Sequence, residues 1–228
     1  MIDYINQHII LQDGVIEHVL SDKIEYYWSD DYSANFYIFL ASLGFISITY
    51  SENELEVLLP QIQESYAVLD FKNLYCSKKV KSIIKKQNLE IHFDTNFQEI
   101  ADLIQESYGD SWLTKKYINT LIESKEIESD FNPTTVYIKK DNIIVAAEIG
   151  YFINKTYTSL SGFTNRDKKY NSFGTAQLVL LAKYLEKNNF AFWNLGHPYM
   201  DYKIKLGAKV LKRKDFLLRW NKEVFKLK

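Results

Sequence analysis

The order of strand and helix patterns after Pro133 constrains the fold more than any other feature of this 228-residue sequence. Three β-rich segments, "TTVYIKK", "NIIVAAEIGYF" and "KTYTSLSGF", are separated by the turn signals Asp141-Asn142 and Asn154-Lys155, which predict an antiparallel meander. A long helix follows in "GTAQLVLLAKYLEKN", then a strand in "FAFWNLG", a short helix, a strand and a terminal helix. We therefore predict an α/β (α+β) fold with a mixed, mainly antiparallel sheet.

The segment before Pro133 also mixes helices and strands. A helix in "FYIFLASLG" precedes a strand in "FISITY", and a strand in "QIQESYAVLDF" leads to a lysine-rich helix for which Ser77 is the N-cap candidate. Two more helices are predicted to start near Asn96 and Thr114. Because no linker-like stretch occurs, we predict that residues 1–70 form an N-terminal α/β extension packed on a core domain of residues 71–228.

The composition excludes several classes of protein. With 46% hydrophobic residues, 25% charged residues and a net charge of -1, the chain is that of a folded globular protein without an overall nucleic-acid or membrane signature. No apolar segment has the length of a membrane span and the N-terminus lacks a signal-peptide pattern, so we expect a cytoplasmic protein without a membrane partner. The single cysteine, Cys76, excludes an intrachain disulfide, and we expect no metal because no Cys/His cluster has zinc spacing.

Several motifs point to one family. The residues that carry the resemblance are Ser77, Lys78, Lys81, Asp94, Phe97, Ser111, Trp112 and Leu113 in the middle of the chain, Ser161 and Phe163 in "SLSGF", and Leu206, Gly207, Ala208, Arg213, Phe216 and Leu217 in "LGAKVLKRKDFL". Over roughly residues 70–220 the chain resembles the leucyl/phenylalanyl-tRNA protein transferases, the aminoacyl-tRNA-dependent branch of the GNAT-like acyltransferases. This resemblance implies a GNAT-like acyltransferase core that moves an aminoacyl group from tRNA to an amine, such as a protein N-terminus.

A second resemblance leaves the acyl specificity open. The segment "NLGHPYMDYKIKLGA" is similar to the tail of the arginyl-tRNA protein transferases through Leu195, Gly196, Met200, Tyr202 and Lys203. Both comparisons imply aminoacyl-tRNA as the donor substrate, and neither fixes the amino acid.

The catalytic candidates follow from departures from the family pattern. Leu160 stands where the family has a glutamate, and Asn194 and Gly196 stand where it has Asp-x-Gln. Asn194 cannot act as a base, but its amide can orient an amine or donate to an oxyanion. His197 titrates near neutral pH, so we predict Asn194 and His197 as the catalytic pair; a histidine that only fills the turn before Pro198 is the alternative.

The binding candidates come from the same resemblances. The tryptophan that matches Trp112 stacks on the terminal adenosine of the tRNA in the family, Ser161 and Phe163 are candidates for an acyl side-chain pocket, and Gly196 and Tyr202 complete the predicted substrate site. The predicted tRNA-binding residues are Lys78, Lys79, Lys81, Lys85, Lys86 and Arg213. A solvated helix face is the alternative explanation of these lysines.

Two other functions remain open at this stage. A CoA-dependent GNAT N-acyltransferase would use acetyl-CoA, but the stretch "KKYNSFGTAQL" offers only Lys169, Ser172 and Gly174 toward a phosphate-binding turn. A non-catalytic tRNA- or protein-binding relative would explain the lost acidic residues. Under the first hypothesis we expect no cofactor, with aminoacyl-tRNA as the co-substrate.

Overall fold

The computed structural model describes residues 3–21, 23–53, 55–109 and 112–226, so Ser111 of the predicted motif lies outside the described residues. The strands are β1 (Asp3–Tyr4), β2 (Tyr27–Trp28), β3 (Ile46–Glu52), β4 (Leu55–Gln61), β5 (Ser65–Leu69), β6 (His92–Asp94), β7 (Phe131–Lys140), β8 (Ile143–Ile153), β9 (Thr156–Thr164), β10 (Phe192–Asn194) and β11 (Lys209–Lys212). The α-helices are α1 (Gln7–Ile10), α2 (Val15–Ser21), α3 (Ala34–Ser42), α4 (Lys78–Lys86), α5 (Phe97–Tyr108), α6 (Lys115–Lys125), α7 (Phe173–Lys187), α8 (Asp201–Leu206) and α9 (Arg213–Val224).

The central sheet contains, within the described ranges, seven strands in the order β11-β5-β10-β9-β8-β7-β6. Strands β9 and β10 pair in parallel, and the other neighbours in this sheet are antiparallel. Strands β3 and β4 form a separate antiparallel hairpin. The predicted α/β fold with a mixed, mainly antiparallel sheet is therefore confirmed.

The meander β7-β8-β9 is built by the turns that the sequence predicts. Asp141 and Asn142 have φ values of 52° and 63°, and Asn154 has a φ of 48°. Aspartate and asparagine tolerate this left-handed backbone better than most residues, because their short side chains can bond the local backbone. The two turns bring β7, β8 and β9 side by side without a crossover.

Three helices begin where side-chain capping predicts. Ser77, Asn96 and Thr114 are the N-caps of α4, α5 and α6, and each side chain accepts a hydrogen bond from the backbone N–H three residues further on. Such a bond satisfies one of the unpaired N–H groups of the first turn and stabilises the helix by about 1 kcal/mol.

Two apolar clusters cover the two faces of the central sheet. On one face, α5, α6 and α9 contribute Phe97, Leu121 and Trp220, together with α3. On the other face, α4 and α7 contribute Val80 and Leu181. The fold is thus three-layered, and every charged group at the sheet between these layers must find a partner or change its protonation.

Strand β5 connects the N-terminal part of the chain to the central sheet. It lies between β10 and β11, and both pairings are antiparallel. Since β5 ends at Leu69, the strand precedes the predicted boundary at residue 70 and yet belongs to the same sheet as the meander. The division into residues 1–70 and 71–228 stays a prediction.

Candidate active site

The sheet opens at the point where β9 and β10 stop pairing. Their parallel register ends with Asn194 opposite Thr158, whereas β9 continues to Thr164 along β8. Beyond Asn194 the chain follows β5 instead, because the Leu195 N–H donates to Ala67 O at 2.9 Å. We call the gap between residues 159–161 and residues 195–197 the β9/β10 opening.

A β-bulge shapes the β9 side of this opening. Ile149 of β8 faces Ser161 and Gly150 faces Ser159, so Leu160 is the extra residue. Bulges bend a strand and redirect its side chains, and they are frequent beside active sites. Ser159, Leu160 and Ser161 are all half-buried, whereas the three residues before them are buried.

Asn194 holds the other side of the opening together. Its side chain is fully buried, its Oδ1 accepts from the Gly196 N–H at 2.9 Å, and its Nδ2 donates to Thr158 Oγ1 at 3.4 Å. Gly196 has a φ of 70°, and a Cβ there would lie 3.2 Å from Ile46 Cδ1. The asparagine therefore fixes a tight turn that needs glycine, and both ends of its amide contact the protein.

A buried lysine stabilises the same turn. Lys203 of α8 is only 7% exposed, and its Nζ donates to the backbone carbonyls of Leu195 and His197. Burial lowers the pKa of Lys203 to about 8, although Glu148 acts in the opposite direction. The opening is thus bordered by the ammonium group of Lys203, whose protonation depends on its burial and on the charge of Glu148.

His197 and Tyr202 lie beside this lysine. Burial lowers the pKa of His197, whose Nδ1 is buried without a hydrogen-bond partner among the described residues. Its ring packs on Tyr199, which is 84% exposed. Burial of the Tyr202 hydroxyl raises its pKa, while the ring remains partly exposed. The structure therefore brings Asn194, Gly196, His197 and Tyr202 into one region, and their roles in catalysis and substrate binding stay predictions.

Glu148 is the acidic residue that the sequence analysis missed. It lies on β8 opposite Gly162 and is 3% exposed. Its Oε1 accepts hydrogen bonds from Tyr157 OH and Ser159 Oγ, both at 2.8 Å, and Gln177 Nε2 approaches Oε2 at 3.5 Å. A single glutamate inside the apolar strand "IIVAAEIGYFI" was the available signal, because a buried carboxyl group requires such partners.

The environment of Glu148 keeps its carboxyl group near its titration point at neutral pH. Burial raises the pKa of Glu148 to about 7, while the hydrogen bonds from Tyr157, Ser159 and Gln177 and the charge of Lys203 act in the opposite direction. Ser159 links this carboxyl group to the opening, because it bonds Glu148 and borders the opening. Trp193 Nε1 donates to the same Ser159 Oγ at 2.8 Å. A carboxyl group with a pKa near 7 is suited to accept and return a proton.

Gln63 is a second polar residue that the sequence analysis did not single out. Its side chain is 4% exposed, and its Oε1 has no hydrogen-bond partner among the described residues. Its Nε2 is 3.9 Å from the position of a Cβ on Gly196. The backbone of Gln63 is fixed on both sides, since its N–H donates to Tyr66 OH and its carbonyl accepts from Arg213 Nε.

The other predicted substrate residues lie on the face of the sheet that carries α5 and α6. Trp112 is half-buried in the α5–α6 connection, where its ring packs edge-on against Tyr117 at 4.9 Å. Phe163 is 7% exposed and belongs, with Leu160 and Trp112, to the apolar cluster on that face. Ser161 is half-buried just beyond the bulge. Their roles in substrate binding stay predictions.

The predicted tRNA-binding residues divide between two faces of the molecule. Lys78, Lys79, Lys81, Lys85 and Lys86 are exposed on α4, and none forms an ion pair with a carboxylate of the described residues. Arg213 begins α9 on the opposite face, where its guanidinium donates to the carbonyls of Ile24, Ile62 and Gln63. It lines a cleft of 920 Å³ between α2 and α9. The structure therefore does not bring Arg213 together with the lysines.

Close packing joins the lysine helix to the end of α8. Gly207 has a φ of 109°, and a Cβ there would overlap the carbonyl oxygen of Asn73. The Tyr75 N–H donates to Leu206 O at 2.8 Å in the same contact. Residues 73–75, which lead into α4, thus pack against the helix that carries Tyr202 and Lys203.

The turn before α7 departs from the pattern of a CoA pyrophosphate cradle, because Ser172 stands where a second glycine is expected. Gly174 packs directly against Thr164, whose side chain a Cβ would overlap, and Ser172 adopts a left-handed backbone with a φ of 74°. Among the described residues no group of three or more His, Cys, Asp or Glu side chains is arranged to hold a metal ion. In the same ranges no helix has the length and apolar character required to cross a membrane.

The candidate site thus combines a mixed sheet, a bulged opening beside its parallel strand pair and a buried carboxyl group at that opening. A sequence model of one family, described as leucyl/phenylalanyl-tRNA protein transferase, matches residues 68–221. The chain therefore belongs to the leucyl/phenylalanyl-tRNA protein transferase family, whose members are aminoacyltransferases. The resemblance identified in the sequence is confirmed.

Individual relatives are distant from this chain. The leucyl/phenylalanyl-tRNA–protein transferase of Flavobacterium johnsoniae is 24% identical over 169 residues, which cover 72% of this chain and 76% of the relative. Among solved structures, L-PGS from Bacillus licheniformis has a TM-score of 0.47 at 11% identity; the match covers 71% of this chain and 65% of that chain, slightly less than two thirds. The C-terminal domain of a putative lysylphosphatidylglycerol synthetase from Agrobacterium fabrum has a TM-score of 0.48 at 12% identity, covering 85% and 70%. None of these comparisons supports the acetyl-CoA alternative.

Proposed function

We propose that this protein transfers an aminoacyl group from an aminoacyl-tRNA to an amine, with the N-terminus of a protein as the acceptor. The observation that carries this proposal is the family match over residues 68–221, a range that contains the meander, α7, α8 and the β9/β10 opening. The donor is an activated ester, so positioning of the two substrates supplies much of the acceleration and no cofactor is needed.

The reaction joins the acceptor nitrogen to the ester carbonyl carbon. The C–N bond forms first, and the C–O bond to the terminal ribose of the tRNA then breaks. The amine loses a proton and the ribose oxygen gains one, while the carbonyl oxygen carries negative charge in the intermediate. Asn194 acts here as a positioning residue, because its buried amide holds the Gly196 turn rather than the substrate. His197 borders the same turn as a substrate-binding group.

The donor and the acceptor are assigned to opposite sides of the opening. We assign the acyl side chain to the region of Ser161 and Phe163, and the acceptor to the region of Gly196 and Tyr202. Trp112 is assigned to the terminal adenosine, for which ring stacking is worth about 1 to 3 kcal/mol per base. The apolar cluster shared by Trp112 and Phe163 supports a common donor side of the site.

The α4 surface is the proposed contact for the tRNA backbone. Its five lysines, Lys78, Lys79, Lys81, Lys85 and Lys86, are exposed and unpaired with described carboxylates. Each phosphate that they neutralise releases counterions, so binding weakens as salt rises. The contact between Gly207 and Asn73 supports this assignment, because it connects the lysine helix to the helix beside the opening.

Transfer of radiolabel tests the proposal. The purified protein is incubated with tRNA charged with single labelled amino acids and with two peptides that are identical except that one has an acetylated N-terminus. We expect label in the free peptide, from one or a few amino acids, and none in the acetylated peptide. Binding of charged tRNA without transfer to any acceptor would instead establish a non-catalytic tRNA-binding relative.

A further inference from the structure

We propose that Glu148, acting through the Ser159 hydroxyl, is the group that takes the proton from the attacking amine and returns it to the leaving ribose oxygen. This inference rests on the proposed function, because it assigns the proton transfers of that same reaction. It concerns a residue on β8 that is not among the residues that carry the resemblance to the family.

The hydrogen bonds of Ser159 leave one position free for a substrate. Its hydroxyl donates to Glu148 Oε1 at 2.8 Å and accepts from Trp193 Nε1 at 2.8 Å. A hydroxyl oxygen has two lone pairs, and Trp193 uses one of them. The second lone pair is available to an N–H group that enters the opening, because Ser159 borders the opening and is only half-buried.

Glu148 itself cannot meet the substrate directly. It is 3% exposed and lies on the side of the sheet covered by α7, where Gln177 approaches its second oxygen at 3.5 Å. Ser159 is the first residue of β9 beyond the last pair with β10. The serine therefore forms the connection between the buried carboxylate and the opening.

The proton steps balance with these groups alone. When the amine nitrogen has bonded to the carbonyl carbon, it passes a proton to Ser159 Oγ while the serine proton moves to Glu148 Oε1. The carboxylate becomes a carboxylic acid. As the C–O bond to the ribose breaks, Glu148 returns the proton through Ser159 to the ribose oxygen, and both residues regain their starting states.

The titratable groups around Glu148 fit this role. Tyr157 bonds the same oxygen from β9, Lys203 and Tyr202 act on it electrostatically from α8, and α7 contributes the uncharged Gln177. Burial raises the pKa of Glu148 to about 7, and Tyr157 and Lys203 keep it from rising further. At neutral pH the residue is thus present in both protonation states.

Single-turnover transfer with saturating charged tRNA and peptide tests the inference. We expect Glu148→Gln and Ser159→Ala each to slow transfer by about 10²-fold or more, with little change in the KM of either substrate. The double variant should be no slower than the slower single variant, because both changes interrupt one route. Ser159→Thr keeps the hydroxyl and should therefore recover part of the rate that Ser159→Ala loses.

The pH profile separates this role from a structural one. The wild-type rate should rise through pH about 7 as Glu148 ionises, whereas Glu148→Gln should retain only the rise due to the acceptor α-amine, which loses its own proton near pH about 8. Tyr157→Phe removes a hydrogen bond that lowers the pKa of Glu148, so the rise should move to higher pH while the rate at high pH is retained. Each variant is compared with wild type in thermal unfolding and in tRNA binding.

The outcomes distinguish the two proposals. If wild type transfers no label at any pH, the proposed function fails. If wild type is active and Glu148→Gln keeps both the rate and the pH profile, only the proton relay is overturned. Multiplicative losses in the double variant, or an unmoved profile for Tyr157→Phe, would also contradict the relay.

Discussion

Replacing Glu148 with glutamine changes one charge in the centre of the molecule and little else. The glutamine has nearly the same shape, and its carbonyl oxygen can still accept the hydrogen bonds from Tyr157 and Ser159. The free energy of unfolding of this variant should therefore report how much the buried carboxylate costs the folded protein. The comparison requires no substrate.

The sign and size of the effect follow from the pKa of Glu148. Burial raises it from 4.5 to about 7, so the stability that the protonated group contributes is present below pH about 4.5 and is lost as pH rises through about 7. Each pKa unit corresponds to about 1.4 kcal/mol, which gives about 3 kcal/mol in total. Most of this amount, about 2 to 3 kcal/mol, accumulates between pH near 5 and pH near 8.

Urea unfolding at these two pH values measures the effect. Relative to wild type, Glu148→Gln should gain about 2 to 3 kcal/mol of stability on going from the lower to the higher pH. Glu90→Gln, which changes an exposed carboxylate, is the matched control and should follow wild type at both pH values. An identical difference between Glu148→Gln and wild type at both pH values would refute the argument that burial raises the pKa of this group.

Three further predictions concern the surroundings of the site. Gly207→Ala should lower the unfolding free energy by about 2 kcal/mol or more in urea titrations, because its Cβ would overlap Asn73 O at a φ of 109°. Arg213→Lys should be destabilising in thermal unfolding, since an ammonium cannot reproduce the guanidinium bonds to three carbonyls. Replacement of Lys79 and Lys81 by glutamine should weaken tRNA binding and reduce its salt dependence, whereas the same change at Lys125 and Lys222, exposed on α6 and α9 of the other face, should not. Equal effects of the two lysine sets would exclude α4 as the tRNA surface.

Local signals in the sequence were sufficient for most of the fold. The caps at Ser77, Asn96 and Thr114 and the turn at Asp141-Asn142 act within a few residues, so they can be read without knowledge of the rest of the chain. The meander followed from its turn signals, and α7 followed from the near-helical spacing of its apolar residues. The β5 pairings could not be predicted in this way, because residues 65–69 meet partners more than a hundred positions later.

The residues of the candidate site also divide into those found from local sequence signals and those that depend on contacts distant in the sequence. Asn194, Gly196, His197 and Tyr202 are close in the sequence and were found together. Glu148 was missed because its strand is otherwise apolar, and its relation to Ser159 depends on the β8/β9 register and on the bulge at Leu160. A bulge changes which side chains lie on the same face of the sheet, and no residue type in "TYTSLSGFT" indicates that a bulge occurs there.

The position of β5 has a consequence for how this protein is made. During synthesis β5 leaves the ribosome long before β10 and β11, so its backbone N–H and C=O groups have no sheet partner until residues 192–212 are available. Such non-local pairing slows folding and leaves a strand edge exposed to other chains in the meantime. The sheet beside the β9/β10 opening is therefore completed late in folding, and a nascent chain cannot bind substrate there before residues 192–212 have emerged.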